Sequence, residues 1–277
     1  MILYQYYGKS QRRNGRLEEI KTSISDPISK RALEASIEVG ASSWLTTLPL
    51  KKYGFSLDKQ SFWDGLYIRY NIPLKRLPTH CVCGMPFKLD HALSCPKGGF
   101  ISIRHNEVRD FTTDLLAECC KDVSKEPTLQ QLTGEELPKS TIQSNEARVD
   151  VAARGFWIKG QVAYFDVKVF INPTAKVYLS QSLKAAHHSN EQKKKRSYNK
   201  RILNVDQGSF TPLSFGGMSR ECATFYNRLA ECIAEKRNEN IEKIKSWIRC
   251  KINFCLLRVQ VMCIRGTRNH HFKNRKQ

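Results

Sequence analysis

Two short segments near the middle of the chain, Arg148-Val149-Asp150-Val151-Ala152 and Tyr164-Phe165-Asp166-Val167-Lys168-Val169-Phe170, constrain the fold more than any other stretch. Both are rich in β-branched or aromatic residues, and Lys159-Gly160 supplies a turn between them, so the pattern predicts neighbouring strands. Arg154-Gly155 offers a bulge at the end of the first. Side chains alternate across a strand, which places Tyr164, Asp166 and Lys168 on one face and Phe165, Val167 and Val169 on the other. An acid and an amine therefore project together, and Asp150 on the neighbouring strand can join them. Two carboxylates held close raise one another's pKa unless a cation lies between them, and hard oxygen donors of this kind suit Mg²⁺. A lysine beside such an ion can position or deprotonate a water. The plainer alternative is a solvated strand face carrying one surface ion pair.

Charge narrows the partners. The 277 residues hold 46 Lys+Arg against 26 Asp+Glu, a formal net charge of +20. An excess of that size favours a polyanion, with DNA first and RNA second. A ribosomal-type structural protein is the alternative, but 10% aromatic residues and several apolar-periodic segments argue against a simple basic tail. The hydrophobic content of 40% suffices for a packed core in one large or two modest domains. No run of about 18 apolar residues is present, and Met1 to Tyr7 lack a charged leader region and a small-residue cleavage site, so a soluble, non-secreted protein with no membrane partner is expected.

Seven of the ten cysteines (Cys119, Cys120, Cys222, Cys232, Cys250, Cys255, Cys263) fall in helical-looking segments, as reduced, buried cysteines do. The other three belong to Cys81-x-Cys83-x7-His91-x3-Cys95, where three thiolates and an imidazole, with Gly84 allowing a tight turn, can close a tetrahedral Zn²⁺ site. A single residue separates the first two cysteines, and His80 is close enough to compete as a ligand. With four protein ligands no open position remains, so the metal is expected to be structural. A free-thiol loop is the alternative.

Along the chain, a polar N-terminal stretch with basic residues Arg12, Arg13 and Arg16 precedes a short helix capped by Asp26, with Pro27 in its first turn, an Ile28/Ala32/Ala35/Val39 stripe and Gly40 at its end. A second helix is predicted from Asp58 to Tyr70, with Phe62, Leu66 and Tyr70 spaced by four and Gly65 an unfavourable interior residue. Its basic residues flank aromatics, as on a nucleic-acid surface or on an ordinary amphipathic helix. After Gly98-Gly99, Arg104-His105-Asn106-Glu107-Val108-Arg109-Asp110 opens a helix to about Cys120, then Val123 to Pro127 reads as a short strand and residues 130–146 as a loop. A long basic helix is predicted from about Ala175 to Asn204, with seven Lys+Arg and one acid, Glu191, between Lys184 and Arg201. Lys193-Lys194-Lys195-Arg196 serves equally as a nuclear import signal or a phosphate-binding face, and Tyr198 can stack or hydrogen-bond there. A last strand, Ser209 to Leu213, is placed at a sheet edge by Pro212. Residues 218–265 read as two helices split near Asn238, the second with Trp247, Phe254, Leu257 and Val261 on one face, and a basic tail follows.

Taken in order, the Cys/His set, Arg104-His105-Asn106, Glu126-Pro127, Arg148-Val149-Asp150, Asp166-Val167-Lys168 and the Lys-rich helix with Tyr198 resemble the C-terminal zinc-knuckle and restriction-like endonuclease region of site-specific non-LTR retrotransposon proteins, over roughly residues 80–215. Asp150-x15-Asp166-x-Lys168 is similar to the PD-(D/E)xK pattern, with Val149 where that pattern has proline. The resemblance implies an α/β protein with an α-β-β-β-α-β core, a zinc knuckle before it and helices at both ends. The implied division is 1–78 helical, 79–97 knuckle, 98–215 nuclease core, 216–265 helices and 266–277 tail. It also implies a nuclear endonuclease that nicks target DNA. Asp150 and Asp166 would ligate Mg²⁺, Lys168 would assist the attacking water and Glu126 would complete the acidic cluster, with Glu107 its rival. Arg104, His105, Lys193, Lys194, Lys195, Arg196 and Tyr198 would face nucleic acid. No Tyr-x-Asp-Asp signature is present, so the chain reads as the C-terminal part of a retroelement protein, decayed, truncated or domesticated. A zinc-containing nucleic-acid-binding protein without catalysis is the alternative.

Overall fold

A computed structural model describes residues 15–38, 40–129, 148–170, 173–204, 206–215 and 219–266. The expected loop at residues 130–146, the tail beyond Gly266, Arg12, Arg13 and Val39 lie outside the described residues. In order the elements are α1 (residues 15–23), α2 (Pro27–Ile37), α3 (Ser43–Thr46), a 3₁₀ turn (Lys51–Tyr53), α4 (Lys59–Arg69), α5 (Leu89–Ser94) and α6 (Phe100–Ala117). There follow β1 (Lys121–Lys125), β2 (Val151–Arg154), β3 (Val162–Val169), α7 (Lys176–Leu179), α8 (Leu183–Asn204), β4 (Ser209–Phe215), α9 (Arg220–Arg237) and α10 (Ile241–Arg265).

Local chemistry sets several of these boundaries. Asp26 accepts from the Ile28 and Ser29 amides at the start of α2, and Asp58 accepts from the Ser61 amide at 2.9 Å to start α4. Gly65 is in α4 because of packing: a Cβ there would lie 3.0 Å from Leu257 Cδ1 and 3.2 Å from Trp44. The basic helix is not continuous from Ala175. It breaks after Leu179 and restarts at Leu183, where the Ser182 hydroxyl accepts from the Ala185 amide at 3.1 Å. The first central strand also differs from expectation: β2 pairs with β3 from Val151 to Arg154 without a bulge, and Gly155 and Gly160 take φ of 84° in the connection that follows.

The sheet is mixed, in the order β1-β2-β3-β4. β1, β2 and β3 are antiparallel, while β4 runs parallel to β3 after the α8 crossover. β4 is an edge strand, which a proline tolerates at position 212. Phe165, Val167 and Leu213 face a core that includes Leu115 and Leu116 of α6, Phe225, Leu229 and Ile233 of α9, and Ile244 and Ile248 of α10. The opposite face meets α8, where Ile202 packs with Phe210. A second cluster ties Trp44 and Phe55 to Phe254, Leu257 and Val261 of α10. The Cys/His segment precedes α6, and helices lie at both ends of the sheet.

Candidate functional site

The register of β2 and β3 brings the two aspartates together. Val151 pairs with Phe165, so Asp150, one residue before Val151, falls beside Asp166, and its Oδ2 accepts the Val167 amide at 2.5 Å. Asp166 is only 3% exposed. Burial, and then the charge of Asp150, push its pKa up to about 6. Lys194 of α8 answers both charges. Its Nζ lies 3.1 Å from Asp166 Oδ1 and 2.8 Å from Oδ2, and the Oδ1 contact has hydrogen-bond geometry. Asp166 Oδ2 is buried, and its contact with Lys194 is an ion pair without hydrogen-bond geometry.

His105, on α6, reaches Asp150 from the other side, with Nε2 3.2 Å from Oδ2. Burial alone would depress the imidazole's pKa, but the hydrogen bond to Asp150 and the charges of Asp150 and Asp166 outweigh it, and the net shift is upward. Lys168 lies two residues beyond Asp166, on the same face of β3, and its side chain is solvent-exposed. Partial desolvation by the neighbouring elements, then Lys194 and Arg104, lower its pKa, while Asp166 opposes the shift. Tyr198 is half-buried, with Lys194 Nζ 5.8 Å from its ring centroid and Phe210 5.6 Å away, ring to ring. Burial and then Asp166 raise its pKa.

The acid expected to complete the cluster is placed differently. Glu126 carries a φ of 48° and its carboxylate pairs with Arg109, while its amide donates to the Asp150 carbonyl at 2.9 Å. Glu107 is exposed and stands near Cys255 of α10. Among the basic residues, Arg104 donates to the Leu93 carbonyl at 2.7 Å and so ties α6 to α5. Lys195 pairs with Glu221 at 2.5 Å, and Lys193 and Arg196 are exposed. His105 and Lys194, read from the sequence as nucleic-acid contacts, both touch the aspartates. Helical spacing puts each on the inward side of its helix, His105 three residues before buried Val108 and Lys194 four after buried Asn190, but it does not name the aspartates as partners.

The second constellation is Cys81, Cys83, His91 and Cys95, whose ligand atoms all lie within 4.8 Å of one another. Cys83 Sγ is 3.2 Å from His91 Nε2, and Cys81 and Cys95 Sγ are 3.8 Å apart. A tight turn sets the first pair: the Gly84 amide donates to the Cys81 carbonyl at 2.9 Å, with Gly84 at φ 86°. The Cys95 amide closes on the His91 carbonyl at 2.8 Å at the end of α5. The four residues can hold a metal ion, and His80 is outside the set.

No family model, curated protein or solved structure matches the chain. The chemistry is therefore read from the side chains. Two close carboxylates form a hard anionic site flanked by one exposed lysine, Lys168, and one half-buried lysine, Lys194, which is ion-paired to Asp166. Among the described residues no helix is long and apolar enough to cross a membrane.

Proposed function

We propose that the chain is a metal-dependent DNA endonuclease that nicks its target, built on a restriction-endonuclease-like α-β-β-β-α-β core and derived from a non-LTR retrotransposon. The observation that carries this reading is Asp166: a buried carboxylate set beside Asp150, so that two acids share one place with the Lys194 ammonium, 2.8 Å from Asp166 Oδ2, as a cation between them and solvent. The order α6, β1, β2, β3, α8, β4 and the ordered motif set support it. The pair fits a hard divalent cation such as Mg²⁺, with Asp150 and Asp166 as its protein ligands. Such an ion would supply Lewis acidity and a more acidic water at the scissile phosphate. His105 holds Asp150 in place, Lys194 fixes Asp166, and Lys168, on the same face of β3 as Asp166, would assist the attacking water. Three sulfurs and an imidazole make Zn²⁺ the metal of the knuckle, where it is structural. Exposed Lys193 and Arg196 offer DNA phosphates counter-charge, and the same basic run would direct the chain to the nucleus.

A second reading, a zinc-containing nucleic-acid-binding protein without catalysis, is favoured by one observation. The Lys194 ammonium already sits where it neutralises Asp166. Nicking of supercoiled plasmid with Mg²⁺ decides between the two. The endonuclease reading expects the zinc-loaded wild type to nick and both Asp166→Ala and Lys168→Ala to lose activity by at least roughly a hundredfold while binding DNA as before. No nicking by folded, zinc-loaded wild type leaves the second reading.

A further inference from the structure

Helix α4 carries an aromatic and basic face that the acidic site does not use. Lys59, Trp63, Tyr67 and Tyr70 recur at spacings of four, four and three, which stacks them along one side of the helix. Trp63 is 46% and Tyr70 53% exposed, and the Trp63 and Tyr67 rings lie 6.1 Å apart. Leu66 packs against the Trp44/Phe254/Leu257 cluster and Phe62, itself exposed, stands edge-on to Trp44 at 5.7 Å, so the helix has an apolar seam of its own and the Trp63 stripe is additional to it. Aromatic rings left together in water mark an interaction surface.

The charge around them selects the partner. Residues 51–76 hold six Lys+Arg and two acids, and neither acid is free. Asp58 caps α4, and Asp64, fully buried, pairs with Arg265 at 2.6 Å. The Arg69 guanidinium lies 5.5 Å from the Tyr70 ring centroid. Lysine is depleted where proteins dock on proteins, whereas aromatic faces set among cations suit unpaired bases: the ring takes the base and the cation the phosphate. Duplex DNA hides its base faces, so the strand must be single.

We propose that the Trp63/Tyr67/Tyr70 face binds single-stranded DNA by base stacking. The choice of DNA over RNA rests on the endonuclease reading, since nicking and strand separation supply such a strand. Trp63 also reports on it: Trp44 is buried and Trp157 and Trp247 are half-buried, so an oligonucleotide stacked on this face quenches chiefly the exposed indole.

The test is a fluorescence titration of the full, zinc-loaded Asp166→Ala chain with oligothymidylate at fixed salt. Binding there is independent of cleavage, so a failed nuclease reading leaves this result standing. Quenching is expected, with affinity lost roughly five- to 150-fold in added Trp63→Ala or Tyr70→Ala and retained in Trp63→Phe, followed by anisotropy of labelled oligonucleotide. Equal affinity in the alanine variants overturns the proposal. So does binding of oligouridylate without oligothymidylate, or a Trp63 dependence that appears only with a protein partner.

Discussion

Asp150, Asp166 and Lys168 were legible as single residues because strand side chains alternate with period two, and the period survives whatever packs on the strand. Their partners were not. The contacts of His105 with Asp150 and of Lys194 with Asp166 depend on how α6 and α8 are rotated against the sheet, which a local pattern does not specify. Glu126 illustrates the same limit: it has the right chemistry for the acidic cluster, but its side chain turns to Arg109. The Asp166 environment makes a pH prediction. Its folded pKa, about 6, lies above the ordinary value of 3.8, so the folded state holds the proton more tightly. That stabilisation is present at low pH and is lost as pH rises from about 4 to 6. Without divalent ions, wild type should lose up to about 3 kcal/mol relative to Asp166→Asn across that window, measured by urea unfolding. Parallel pH profiles for the two proteins would contradict the burial argument.

At the scale of elements, caps and breakers were readable and packing was not. Asp26, Asp58 and Asn240 each start a helix by accepting backbone amides, as short polar side chains before an apolar period do. The break between α7 and α8 was missed because the basic composition runs through it, and only Ser182 marks the restart. Gly65 read as a weakness in α4, yet it is where Trp44 and Leu257 approach the helix. Gly65→Ala should therefore destabilise by roughly 1–2 kcal/mol despite alanine's better helix propensity, because overpacking outweighs that gain. A rise in melting temperature would refute this. The Cys/His segment is held by its own turn and by Arg104 on the Leu93 carbonyl. Chelation should release one zinc per chain and speed amide exchange over residues 79–97 while β3 amides stay protected, as read by hydrogen-exchange mass spectrometry. Unchanged exchange in that segment would argue for a metal-free loop.

Across the whole molecule, the order of strands and flanking helices was expected, but the parallel pairing of β4 with β3 and the sharing of one core were not. Leu93 within the Cys/His segment, Phe165 and Val167 of β3, and Phe225, Ile244 and Cys263 of the last two helices belong to a single cluster, because α9 and α10 return across the face that α6 also covers. Long-range returns of this kind leave no trace in local periodicity. They also explain how one scaffold presents three features at once: a buried acid pair, an exposed basic face on α8 and an aromatic face on α4. The central claim is that Asp150 and Asp166 share one divalent cation. Mn²⁺ standing in for Mg²⁺ tests it most directly, counted by electron paramagnetic resonance on zinc-loaded protein bound to a cleavage-resistant duplex. One Mn²⁺ per wild-type chain and none in Asp166→Asn is the predicted result. The same Mn²⁺ count in both proteins, or none in wild type, would contradict it.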